Sequence, residues 1–103
     1  MDLKNVFIEK ILLNHDGVLC LVPKDHDFRM IYRSARGVHW DDANNWLFHN
    51  PPQEWEPIQW YRHILSAVKN EYGVILKVCL DTVYENIDDK LRKSIESEHA
   101  YWE

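Results

Sequence analysis

Glycine and proline are scarce, three and four residues in a chain of 103. With glycine only at Gly17, Gly37 and Gly73, no glycine-rich phosphate cradle can form. Neither a P-loop nor a dinucleotide-binding G-x-G-x-x-G is present, and H-E-x-x-H and G-x-S-x-G are missing too. The two cysteines, Cys20 and Cys79, sit in apolar strand-like runs with no C-x-x-C or Cys/His spacing around them. They read as buried thiols, so neither a metal nor a cofactor is expected. Long apolar runs are also lacking: Val18–Val22 and Ile11–Leu13 are far too short to cross a bilayer. The first residues, Met1–Asn5, carry neither the basic flank nor the apolar stretch of a signal peptide. A cytoplasmic location is the expectation. Basic charge is sparse as well, with one cluster at Arg29, Arg33 and Arg36 and no stacking residues interleaved, which argues against nucleic acid as a partner.

What the chain does hold is apolar and aromatic surface. Hydrophobic residues make up 46% and charged residues 28%, a balance that lets one domain spanning residues 1–103 build a core without staples. The net charge is −5, and most of it lies between Asp81 and Glu103. Five tryptophans, at positions 40, 46, 55, 60 and 102, are the oddest feature of the composition.

Residues Val6–Leu13 are rich in β-formers, Asn14–Gly17 carries turn chemistry, and Val18–Val22 returns as a second strand. Both faces of this hairpin are apolar, with Val6, Ile8 and Leu12 on one and Phe7, Ile11 and Leu13 on the other, so cover is expected on both sides. Phe28–Arg33 alternates and predicts a third strand. Val38–Asp41 and Trp46–His49 follow as short strands, and Pro51-Pro52 closes the β-rich half.

Pro57 suits the first position of a helix and Gly73 the residue just past its end. Between them Ile58, Trp60, Tyr61, Ile64, Leu65, Val68 and Tyr72 fall on one half of a helical wheel, and His63 falls on the polar half. Val74–Leu80 predicts another strand. A last helix, starting between Asp81 and Asp88, has the stripe Val83, Ile87, Leu91 and Ile95, with Asp88–Arg92 and Asp89–Lys93 spaced for ion pairs. Four or five strands, a helix, a strand and a helix make an α+β domain with a largely antiparallel sheet and two helices.

The most suggestive constellation is the hairpin of Val38–Asp41 and Trp46–His49. A loop of two or four residues puts Val38, Trp40, Leu47 and His49 on one face, which reads as core. His39, Asp41, Trp46 and Phe48 then share the other face. An imidazole and a carboxylate beside two aromatic rings is how many small-molecule sites are composed, so these four are the candidate ligand site. A three-residue loop would swap the two sets. Trp46, Trp55 and Trp60 are the candidate interface anchors, because tryptophan buries much area while keeping a polar tip.

The run Ile31-Tyr32-Arg33-Ser34-Ala35-Arg36-Gly37-Val38-His39-Trp40-Asp41, with Glu54-Trp55 and Gln59-Trp60-Tyr61 after it, resembles certain small proteins encoded by bacterial integron gene cassettes. The likeness covers about the middle half of the chain. It implies a mobile accessory gene, a compact α+β fold of uncommon topology, a tendency to self-associate and no assigned activity. It carries no functional residues over.

The residues themselves point to a non-enzymatic binding or protein-interaction domain that forms a homodimer or higher homo-oligomer. The second sheet face and its aromatic residues are the expected contact. Two other readings stay open: a small-molecule-binding protein or minor enzyme centred on His39, Asp41, Trp46 and Phe48, and an acidic inhibitor that sets its C-terminal helix on a basic partner.

Overall fold

A computed structural model describes residues 4–33, 37–49 and 55–98. In chain order the elements are β1 (Lys4–Leu13), β2 (Leu19–Pro23), a 3-10 turn (Ile31–Arg33), β3 (Val38–Asp41), β4 (Trp46–His49), α1 (Pro57–Tyr72), β5 (Val74–Lys77), β6 (Val83–Glu85) and α2 (Asp89–Glu98). The strands form one mostly antiparallel sheet in the order β3-β4-β2-β1-β5, with β6 also against β1. This is the α+β class with two helices that the sequence pattern implies.

The first hairpin closes as its residues dictate. Gly17 takes a φ of 76°, and the Asn14 side-chain oxygen accepts from the amides of Asp16 and Val18 at 2.9 and 3.0 Å. Leu12 faces Cys20 and Leu13 faces Leu19 across the hairpin, and the register shifts between Ile8 and Lys10. That bulge resets the alternation of β1. Val6, Ile8, Ile11 and Leu13 turn toward the main core, while Leu12 belongs to a separate cluster with Val18 and Cys20. The simple period-2 reading, which grouped Leu12 with Val6 and Ile8, is corrected by the one extra residue.

The other edge of β1 is divided. Residues Lys4–Phe7 pair in parallel with Val74–Lys77, and Lys10–Leu12 pair in parallel with Val83–Glu85. Between the two, the Thr82 hydroxyl donates to the Ile8 carbonyl at 2.6 Å and accepts from the Cys79 amide at 2.9 Å. The strand expected over Val74–Leu80 therefore ends at Lys77, and Leu80 stands fully exposed in the connection.

Three further expectations are corrected. Phe28–Arg33 is not a strand but a turn running into a 3-10 segment. Phe28 and Ile31 are buried and Met30 and Tyr32 exposed, which is the i,i+3 spacing of a 3-10 turn. Val83 lies in a strand and not on the last helix. Asp88 does not pair with Arg92: its carboxylate accepts the Leu91 amide at 2.7 Å and caps α2. Arg92 instead lies 4.5 Å over the Tyr84 ring and reaches Glu96 at 3.7 Å.

Helix α1 begins with Pro57 in its first turn and ends on Gly73 at a φ of 65°, whose amide bonds the Lys69 carbonyl. Its buried residues Tyr61, Ile64, Leu65, Ala67 and Val68 pack on the inward side chains of β1, β2, β3, β4 and β5. Helix α2 adds Ile95 and Leu91 to the same core, and Arg62 joins the helices through Glu98 at 2.7 Å. Both helices thus cover one side of the sheet. Among the described residues, no helix is long and apolar enough to cross a membrane.

Candidate interaction face

Four residues separate β3 from β4, and Asn45 turns the chain back with a φ of 57°. The pairing is Val38 with His49, His39 with Phe48, Trp40 with Leu47 and Asp41 with Trp46. His39, Asp41, Trp46 and Phe48 therefore lie on the sheet face away from the helices. Trp46 and Phe48 lean over Leu12, Val18 and Cys20, which they leave buried. With Asn14 and Asp41 these rings wall a notch of about 180 Å³ that Val18 and Cys20 also line.

The chemistry of that notch is quiet. Asp41 accepts from the amides of Ala43 and Asn44 at 3.0 and 3.1 Å and from the Asn44 side chain at 2.9 Å. The Asn44 side chain first, and its amide second, hold the carboxyl below the usual range. Asp41 is the clasp of the β3–β4 turn. Burial, and then the Asp41 charge, pushes the Cys20 thiol up to about 11, so it remains a neutral thiol and a poor nucleophile. His39 packs on Phe48 with ring centroids 5.3 Å apart and is not among the walls of the notch. Three of the four candidate site residues line one small hollow, and the imidazole stands beside it.

The three candidate anchors divide between the two sides of the molecule. Trp46 lies on the face just described. Trp60 belongs to α1 and stacks on His49 with centroids 4.4 Å apart and planes 2° from parallel. Trp55 leans on Trp60 at 4.7 Å, and His63 meets both tryptophans edge-on at 5.3 and 5.8 Å. His63 is accordingly half-buried in this aromatic group and not a plain solvent-facing residue. His49 itself is buried, and its Nε2 accepts the Leu19 amide at 2.8 Å. That bond requires a lone pair on Nε2, so the ring proton sits on Nδ1. Sequence reading put His49 with the core set but missed this bond, because no local spacing connects residues 19 and 49.

The outer face extends beyond the notch. On β1, Phe7 points away from the core and is 48% exposed. Val83 of β6, set beside Lys10 in the register, is 54% exposed. Lys10 and Glu85 pair on the same face at 3.3 Å. A larger groove of about 320 Å³ lies on the helix side between the starts of α1 and α2, floored by Leu13, Ile58 and Leu91. Among the described residues, no group of three or more His, Cys, Asp or Glu side chains could hold a metal ion.

Comparison with known proteins agrees with the resemblance carried by residues 31–41. No curated protein matches the chain. A solved structure described as integron cassette protein Hfx_Cass5, from the mobile metagenome of the North West Arm sewage outfall, is 29% identical. The alignment covers 96% of this chain and 99% of that one, with a TM-score of 0.49. The family model for integron cassette protein Hfx_Cass5 matches residues 6–82. The chain belongs to the Hfx_Cass5 family of integron cassette proteins.

Proposed function

We propose that this protein is a non-enzymatic interaction domain of the cytoplasm that self-associates through the sheet face its helices leave open. The observation that carries the reading is the one-sided placement of α1 and α2. The buried side chains of both helices join the inner-face cluster, whereas the outer face presents Phe7 and Val83 exposed and Trp46 and Phe48 partly buried. Exposed apolar side chains set on both ends of one sheet face, with the Lys10–Glu85 pair between them, make that face a candidate contact surface.

Area supports a second copy as the cover. Five strands abreast at about 4.8 Å, with some 15–20 Å of strand length, give a face of roughly 400 Å² in projection. Side-chain relief brings its accessible area toward the roughly 800 Å² per partner of standard interfaces. A twofold pairing of like faces is the commonest arrangement that closes. The clasped Asp41 and the neutral thiol of Cys20 supply no nucleophile or acid–base pair, which favours association over catalysis.

Sedimentation equilibrium at micromolar concentration tests the reading. A dimeric mass that dissociates on dilution is expected, and a strictly monomeric mass overturns it.

A further inference from the structure

We propose that Phe7 of one copy inserts into the notch walled by Trp46 and Phe48 of a second copy, and that the second copy reciprocates. This rests on the association through the outer face argued above and specifies how the two faces engage.

The notch has the size and lining for a ring. It measures about 180 Å³, and an apolar cavity of about 150 Å³ holds a benzene molecule. Its polar members are already engaged within their own turns. Asn14 is engaged by the Asp16 and Val18 amides, and Asp41 by Ala43 and Asn44. The two aromatic walls and the Val18 and Cys20 side chains face an incoming ring beside the turn-bound Asn14 and Asp41, and aromatic rings meet favourably edge-on or offset.

Phe7 is the matching projection. It is the larger of the two exposed apolar side chains that the outward positions of β1 and β6 present, Val83 being the other. It cannot fill the notch of its own chain. Leu12 lies opposite Cys20, and Phe7 is five residues farther along β1, roughly 15 Å away. Two unlike features on one face, kept apart within the chain, are what a twofold contact brings together. Residue i of one copy meets residue j of the other, and j meets i.

A double-mutant cycle on the dimer dissociation constant of the full chain is the test, read by sedimentation equilibrium with circular dichroism to confirm folding. Phe7→Ala and Phe48→Ala should each weaken the dimer about tenfold or more, since each removes two symmetry-related contacts. The double variant should fall short of the product of the two effects by about threefold or more. Because Phe7 and the notch are far apart within one chain, such coupling can arise only across the interface. Should Phe48→Ala fail to fold, Val18→Ala probes the same hollow.

Independent effects in a dimeric protein would overturn the Phe7 pairing and leave the outer-face reading standing, as would a Phe7→Ala variant that dimerises normally. A monomeric wild type would overturn both. A co-purified small molecule lost on Trp46→Ala, seen by native mass measurement, would assign the notch to a ligand and overturn the pairing as well.

Discussion

The hydroxyl of Thr82 donates to the carbonyl of Ile8 at 2.6 Å, joining residues 74 positions apart. Ile8 lies where β1 changes partner from β5 to β6, so its carbonyl faces a gap in the ladder. Thr82 fills the gap and accepts the Cys79 amide with the same oxygen. Thr82→Val keeps the shape but strands a buried carbonyl and an amide. A loss of about 1–3 kcal/mol follows, to be read from urea melts. Thr82→Ser, which keeps the hydroxyl, should recover most of it.

A second prediction concerns His49. Removing its ring in His49→Ala deletes the stack on Trp60 and leaves the Leu19 amide without its acceptor. The combined loss should be about 3–5 kcal/mol, comparable with deleting a buried aromatic residue. His49→Phe retains a ring for Trp60 but not the acceptor, and should cost about 1–3 kcal/mol. Equal losses in the two variants would show that the stack on Trp60 contributes nothing, and a His49→Phe variant as stable as the wild type would show the same of the Leu19 bond.

These two contacts also show where sequence reading stops. Helix α1 was legible because Pro57 and Gly73 mark its ends and its apolar stripe has an unbroken period. The shared face of His39, Asp41, Trp46 and Phe48 was legible because any loop of even length preserves it. The bond from Leu19 to His49 and the staple from Thr82 to Ile8 were not, since nothing local foretells which backbone group is left without a ladder partner. Phe28–Arg33 misled for a different reason. Its alternation is genuine, but Phe28 is held edge-on by Trp40 and Tyr72, and the Tyr72 hydroxyl accepts the Met30 amide at 2.8 Å. Tertiary contacts chose the 3-10 turn. Strand β6, at three residues, is too short to show a period.

Gly73 offers a clean conformational test. Its φ is 65°, and a Cβ added there would meet nothing within 4 Å. Any cost of Gly73→Ala is therefore backbone strain and not a clash, about 1 kcal/mol. Gly73→Asn should cost less, because asparagine enters the left-handed region more readily. Thermal melts that rank the two variants the other way would contradict this account of the helix end.

Alkaline pH should weaken the fold. Burial, and secondarily the Asp41 charge, raises Cys20 from 9.0 to about 11, and burial raises the Tyr61 phenol above its usual 10.0. In both cases the folded state holds its proton over a range where the unfolded chain has lost it. Stability is therefore full below pH 9 and falls as pH climbs toward 11. For Cys20 the fall is on the order of 2–3 kcal/mol, from two pKa units. Urea melts between pH 8 and 11 should show the decline, and Cys20→Ala should make it shallower. An unchanged slope in that variant would mean that another group carries the effect.

The last prediction separates the two tryptophans that sequence alone treated alike. Trp46 lies on the outer face beside Phe48, over Leu12, Val18 and Cys20. Trp60 lies on the helix side, stacked on a buried imidazole, and its indole N–H is buried with no hydrogen-bond partner among the described residues. If association uses the outer face, Trp46→Ala should raise the dimer dissociation constant at least tenfold, as the loss of a central aromatic does. Trp60→Ala should instead cost about 3–5 kcal/mol of stability through the lost stack and packing, with dimerisation unchanged where the chain remains folded. Trp60→Phe should be milder than the alanine change, because the N–H it removes is unsatisfied already. Sedimentation equilibrium and denaturant melts on the same three variants decide the matter. A dimer weakened by Trp60→Ala but not by Trp46→Ala would move the interface to the helix side, where Trp55 and His63 flank Trp60.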